Sequence, residues 1–399
     1  MGGIGVRVWE LAQSLSQHIP VTIVAKGPFD LQGPNIRFLT VDRWEQALEE
    51  CTAAVFYDMP DTRILLAAHR GGKRVITDSG PPIEHLEYGN IRGADNPDAT
   101  YRDVVRRYEL QVLLSDHFII RSEVARATTV TALSLMGRLA YANYSRSSHL
   151  EHLFSFIPIG FNAQSDRHAE ASAGAAPMVD FVWSGGIWDF YDPLKVVSAV
   201  ARLRHAGTTL TVRFMYAPPH QQGLYEATRL SEAVSREDLG SLIELWTTPI
   251  SHEARDGVMK RARAAVLLGK DGIENYTSIR LRIRDTFLYR LPLVVDKYGA
   301  TGEFVRKLGI GLAVNPDDEE EVAHALRTVA RDDALYMRLR SNIEAVRGDF
   351  MLEPHVERFL RFLSREERAP DINTEQHRRR VEELLAAHPD LERSPWYPI

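Results

Sequence analysis

The pattern that most constrains this chain is an alternation of short β-branched runs with stretches whose apolar residues recur at helical spacing, the mark of βα units and a parallel sheet. It occurs twice. In the first half, the cluster Gly2-Gly3-Ile4-Gly5 leads into a helix carrying Val8, Leu11 and Leu15, and strands are expected at 21–26, 36–41, 53–58, 74–77, 117–121 and 154–159. In the second half, strands are expected at 179–183, 210–216, 243–246, 265–268, 291–296 and 311–314. Between the halves, residues 162–177 turn to Asn, Gln, Ser, Asp, Ala and Gly, as a linker does. The expectation is an α/β chain of two Rossmann-like, doubly wound domains, 1–161 and 178–350, followed by helices and a tail over 351–399. Val381, Leu384 and Leu385 give the segment Thr374–Ala387 a narrow apolar stripe, suited to packing on the main body or a partner. A domain of this kind runs a strand directly into a glycine loop, yet Gly2 follows Met1. A first strand of the amino-terminal domain therefore reads as missing, and a start upstream of Met1 is expected.

Composition narrows the function. With 399 residues and 44% hydrophobic content, the chain can fill a core in each of two or three domains of roughly 150 residues. A net charge of −6 argues against nucleic-acid binding through a basic face, which needs clustered Lys and Arg. The lone cysteine, Cys51, excludes an intrachain disulfide framework and a cysteine-rich metal cluster, so a reducing, cytoplasmic setting is expected. No apolar run approaches the roughly 20 residues that span a bilayer.

Ligands of doubly wound sheets bind beyond the carboxyl ends of the strands, so facing domains of this type place a ligand in the cleft between them. Three strand-to-helix loops stand out. Gly2 and Gly3 precede a helix, where glycines allow close backbone approach to an anion and unpaired N–H groups attract it; simple turn formation is the competing reading. The second loop, Trp183-Ser184-Gly185-Gly186-Ile187-Trp188-Asp189-Phe190-Tyr191-Asp192-Pro193, follows the first strand of the second domain. Trp188 and Asp189 read as ligand-facing, Phe190 and Tyr191 as packing beneath the loop, and Asp192-Pro193 as a helix start.

The third loop runs from Gly269 through Asp285. Thr277 or Ser278 is expected to cap a helix, presenting the amides of Ser278, Ile279 and Arg280 to an anion, with Arg280 and Arg282 adding fixed charge. Arg280 and Arg284 would then share one helical face; the competing reading pairs these arginines with acidic neighbours. In the first domain, the segment from Asp78 to His85 follows a strand and offers a carboxylate or imidazole toward a sugar or acceptor hydroxyl. The acids from Asp317 to Glu321 suit a helix amino terminus better than a metal site.

With both second-domain loops in view, the chain resembles nucleotide-sugar-dependent glycosyltransferases of the GT-B fold, the retaining family of glycogen synthases, sucrose synthases and bacterial mannosyltransferases. The most specific stretch is Glu274 through Val295, ending in Tyr289-Arg290-Leu291-Pro292-Leu293-Val294-Val295, which is similar to that family's donor-binding helix and following strand. The family carries a pair of glutamates here. By position the second, which binds the donor ribose, falls on Asp285, and the first on Thr277, with Glu274 close enough to substitute. The family's arginine and lysine in the glycine loop are replaced by Trp188 and Asp189, which moves the diphosphate role to Arg280 or Arg282. The resemblance implies transfer of a sugar from a nucleotide-sugar donor to a sugar, polysaccharide or natural-product acceptor, with retention, without a metal and without a further cofactor. Its implied donor site is Gly2, Gly3, Gly185, Gly186, Trp188, Asp189, Thr277, Ser278, Ile279, Arg280, Arg282 and Asp285, and its catalytic groups are Asp78, His85 and Glu274. A nucleotide-sugar 2-epimerase and a non-catalytic relative are the alternatives.

Overall fold

The computed structural model describes residues 3–27, 31–78, 80, 82–87, 89–170, 178–216, 225–248, 250–365 and 367–393. Gly2, positions 171–177 of the expected linker and the last six residues lie outside this set. The chain forms two compact units, one of Ile4–His85, Ala94–Pro158 and Leu352–Ile399, the other of Met1–Gly3, Leu86–Gly93 and Ile159–Met351. We call them the amino-terminal and carboxy-terminal units.

The amino-terminal unit runs α1 (Gly3–Ser16), β1 (Val21–Ala25), β2 (Ile36–Thr40), α2 (Trp44–Glu50), β3 (Ala53–Tyr57), α3 (Thr62–Arg70), β4 (Arg74–Asp78), β5 (His117–Ile120) and β6 (Phe154–Phe156), with further helices between the later strands. All pairings are parallel: β1 with β2 in one sheet, and β3-β4-β5-β6 in another. Helical spacing puts Leu11 and Leu15 of α1 on one face, where they meet Ile76, Ile119 and Ile157 together with Leu352, Val356 and Phe359. Each such side chain contributes about 1.5–3 kcal/mol on burial. The opposite face carries Leu65 and Leu66 of α3 and Leu110 and Leu114 of the helix Pro97–Leu114, covered by Val381, Leu384 and Leu385. Asp61 and Asn96 cap those two helices by accepting from the amides of Arg63 and Ala99. Residues 352–393 are thus part of this unit, and the stripe at 381–385 is what holds the last helix on it.

The carboxy-terminal unit carries β7 (Val179–Trp183), β8 (Val212–Phe214), β9 (Ile243–Leu245), β10 (Ala262–Leu267), β11 (Leu293–Asp296) and β12 (Gly311–Val314), all parallel, in the order β12-β11-β10-β7-β8-β9. Strand order reverses between β7 and β10, so the loops leaving those two strands flank the switch point where doubly wound sheets bind ligands. The expected linker is corrected in part: Ala163–Glu170 is a helix of this unit, held because Asn162 accepts from the Ser165 amide and Arg347 pairs with Asp166. No helix of the described residues is long and apolar enough to cross a membrane.

Candidate functional site

The loops after β7 and β10 are zipped together at the switch point. Tyr191 bridges to Gly269, the Asp192 amide donates to the Leu268 carbonyl at 2.9 Å, and the Lys270 amide donates to the Phe190 carbonyl at 3.0 Å. The Asn275 side-chain amide donates to the carbonyls of Phe190 and Lys270, both at 2.9 Å, and Lys270 Nζ donates to the Asp189 carbonyl at 2.7 Å. Phe190 and Tyr191 are buried, as expected for packing residues: Tyr191 meets Trp183 edge-on at 5.7 Å and Phe190 at 4.6 Å. Trp188 is half-buried against the same core, and the buried Asp189 carboxylate faces Arg92 at 3.7 Å.

The third loop differs from expectation. Thr277 ends a short helix, Ile273–Thr277, instead of beginning one, and the next helix, Ile283–Tyr289, starts only after Arg282. Asn275 is the physical reason, since its side chain ties the short helix to the Phe190 and Lys270 carbonyls and accepts from Arg280 Nε at 3.0 Å. The amide of Ser278 is spent on the Glu274 carbonyl and that of Arg280 on Thr301 Oγ1 at 3.1 Å, while Ile279 packs partly buried on the core. A row of amides at 278–280 facing an anion, and Arg280 and Arg284 on one helix, are therefore corrected. Glu274 is buried in the first turn of the short helix.

What the structure assembles instead is a pair of guanidiniums around one ring. Arg280 is 4% exposed; Nη1 donates to Asp296 at 2.6 Å and to the Leu267 carbonyl at 3.2 Å, and its guanidinium carbon lies 5.4 Å from the Tyr191 ring centre. Arg282 lies 4.4 Å from the same ring centre and donates through Nη2 to the Gly186 carbonyl. Burial pulls the Arg282 pKa below the ordinary guanidinium value, and the neighbouring Arg280 charge adds to this while Tyr191 opposes it. Among the described residues no carboxylate pairs with Arg282, and two buried N–H-bearing atoms, Arg280 Nη2 and Arg282 Nη1, have no hydrogen-bond partner. Unsatisfied buried donors on two adjacent cations are costly alone and favourable toward a dianion. Both glycine loops make room for them: a Cβ on Gly185 would lie 2.6 Å from Arg282 Nε, and one on Gly269 would lie 2.4 Å from Arg280 Nη2.

Asp285 is 4% exposed and committed to protein partners. It accepts from Arg255 at 2.6 Å, from Arg284 at 3.2 Å and from the Ser184 hydroxyl. Burial pushes its pKa up, but Arg255 and Arg284 outweigh burial and hold it below the ordinary carboxylate value. The expected ribose-facing carboxylate is thus corrected to an internal anchor, tying the start of the β7 loop to the helix Ile283–Tyr289.

In the amino-terminal unit, Asp78 is fully buried between Arg7 and Arg121, each Nε at 2.7 Å. Burial raises its pKa and the two arginines more than reverse that, so its oxygens are occupied and poorly basic, which corrects its catalytic assignment. His85 is buried, which lowers its pKa against the opposing field of Asp58. Gly3 is the exposed first residue of α1. Asp296, Thr301, Asn275 and Arg255 were not among the expected site residues. The one available signal was Asp296, a carboxylate closing the apolar strand Leu293-Val294-Val295 where ligands of such sheets bind.

Two parallel, Rossmann-like units with these site loops define the GT-B fold. Among solved structures, trehalose-6-phosphate synthase OtsA matches at 13% identity with a TM-score of 0.64, covering 92% of this chain and 95% of that one. HepE of Anabaena, determined in complex with UDP-glucose, matches at 13% identity and a TM-score of 0.62, covering 91% and 96%. Sucrose-phosphate synthase from Thermosynechococcus elongatus matches at 13% identity and 0.59, covering 91% and 93%. No protein-family model matches the sequence. No curated protein matches it either.

Proposed function

We propose that the protein is a glycosyltransferase that moves a sugar from a nucleoside-diphosphate sugar, with retained anomeric configuration, to a sugar, polysaccharide or natural-product acceptor. The observation that carries this is the pair of partnerless guanidinium nitrogens on Arg280 and Arg282 at the switch point of the carboxy-terminal sheet. Structures of the same fold determined with UDP or UDP-glucose support a donor of the UDP type.

In this reading Arg282, with Arg280 behind it, takes the diphosphate. Negative charge grows on the diphosphate as the bond between the sugar's anomeric carbon and the phosphate oxygen breaks. Two fixed cations already in place stabilise that charge without reorganising, and they supply it without a metal. The acceptor hydroxyl attacks the anomeric carbon, and its proton passes to the departing phosphate, so no strongly basic side chain is required. Asp285 acts indirectly, by fixing Ser184 and thereby the glycines against which Arg282 rests.

The test is release of UDP from UDP-glucose by the whole chain, with and without a panel of sugar and polysaccharide acceptors. Release that depends on an acceptor supports the transferase. Binding without release identifies a non-catalytic relative, and turnover to an isomeric UDP-sugar without acceptor identifies an epimerase.

A further inference from the structure

Among the described residues of the amino-terminal unit, most of the exposed large apolar side chains fall between 124 and 144. The helix Glu123–Leu135 and the helix Tyr141–Arg146, joined by a turn at Gly137, present Val124, Leu135, Leu139, Tyr141 and Tyr144 to solvent, with Leu135 74% and Tyr141 81% exposed. On the longer helix the exposed positions run Val124, Ala127, Thr131 and Ser134, the 3-4-3 spacing of a helix-packing seam, while Thr129 and Leu133 are buried on the other side. The two cations between 123 and 145 are drawn away from this seam. Arg138 is fully buried against Asp371 at 2.7 Å, and Arg126 donates to the His149 carbonyl at 2.9 Å and lies over the Phe154 ring. An anionic membrane surface or a nucleic acid selects clustered Lys and Arg, which this face does not present. An apolar seam with hydroxyls at its centre suits another protein helix.

Charge says which helix. Glu123 is exposed in the first turn, and at the other end the Arg380 guanidinium packs on Gly137, where a Cβ would overlap it. Among the described residues neither has a partner of opposite charge. A two-fold axis level with Thr129 and Val130 exchanges the two ends of the helix. Val124 of one copy then meets Leu135 of the other, Thr128 meets Thr131, and Glu123 comes level with position 136, beside Arg380. Running the helices antiparallel also sets opposite ends of their dipoles together. Leu139, Tyr141 and Tyr144 extend the contact beyond the seam. The patch amounts to something on the order of 700 Å² per copy, close to the roughly 800 Å² a side of a standard interface.

We propose that the partner of this face is a second copy of the chain, in a homodimer whose two Glu123–Leu135 helices pack antiparallel about a two-fold axis, with Glu123 of each copy paired to Arg380 of the other. This rests on the amino-terminal unit alone and is independent of the donor site. The test is sedimentation of the full chain from about 1 to about 100 μM, with amide exchange followed over the same range. The expected result is a monomer-to-dimer transition with a Kd of about 1–10 μM, and slower exchange at the higher concentration confined to residues 123–144. Leu135→Asp should weaken association at least about tenfold. Glu123→Arg and Arg380→Glu should each weaken it about fivefold by setting like charges together, and the double variant should return to within about threefold of the parent. A parent chain still monomeric at about 100 μM overturns the proposal, as does a dimer indifferent to Leu135→Asp. So do charge reversals that the double variant fails to rescue, or concentration-dependent protection elsewhere in the chain. A monomeric parent that floats with phosphatidylglycerol vesicles also overturns it, and would make a lipid surface the occupant.

Discussion

The guanidinium of Arg282 stacks 4.4 Å from the centre of the Tyr191 ring, on a loop whose glycine at 185 leaves no room for a side chain beside it. Arg280 approaches the same ring at 5.4 Å but has a buried counter-ion in Asp296, whereas among the described residues no carboxylate pairs with Arg282. In the proposed function, that asymmetry separates a structural cation from the one that takes the diphosphate.

Removing Arg280 should therefore damage folding. Arg280→Ala leaves the fully buried Asp296 carboxylate without its charge partner, a loss of about 3–5 kcal/mol. Arg282→Ala releases a repulsive neighbour and should change stability by less than about 1 kcal/mol. Thermal melting of the two variants side by side checks the contrast.

The glycine loop should discriminate by position. Gly185→Ala forces its Cβ to 2.6 Å from Arg282 Nε and should displace the guanidinium, weakening UDP binding about tenfold. Gly186→Ala meets Trp188 at an ordinary 3.7 Å and should leave affinity within about twofold of the parent. Titration of both variants with UDP decides this.

Asp285 should behave as an anchor. Its folded pKa is depressed by Arg255 and Arg284, so its stabilisation is full above the ordinary carboxylate value of about 4 and is lost as pH falls through the lower folded value. Asp285→Asn strands two buried guanidiniums and should lower the melting temperature at pH 7 and flatten its dependence on pH below about 4.

His117 should make the amino-terminal unit sensitive to mild acid. Burial lowers its pKa to about 3, and it is held neutral between Ser155 Oγ at 2.8 Å and the His152 carbonyl at 3.0 Å. The unfolded chain takes up this proton near pH 6.5 and the folded chain does not, so stability is full above about 6.5 and falls as pH drops toward 3. The slope from this residue is about 1.4 kcal/mol per pH unit, and His117→Gln should remove it. Denaturant midpoints measured from pH 7.5 to 4 read the difference.

The twelve expected strands are present because most are short apolar runs rich in β-branched or aromatic residues, a signal carried within a few neighbouring residues. Local chemistry also identified the loops at Gly185 and Gly269, where glycines break an otherwise apolar pattern. What stayed hidden depended on partners distant in sequence. Asp285 looks the same whether it faces a ribose or Arg255, thirty residues upstream, and Arg280 the same whether it faces a phosphate or Asp296. The helix expected from Thr277 failed for a similar reason, because Asn275 closes the preceding turn through a carbonyl on the β7 loop.

Calorimetric titration of the full chain and of Arg282→Ala with UDP tests the central claim most directly. The account predicts saturable binding at one site per chain, weakened about 10- to 100-fold in the variant, as the loss of a charge-assisted contact of about 1.5–3 kcal/mol requires. Absence of UDP binding to the parent chain, or equal affinity in the two proteins, would contradict it.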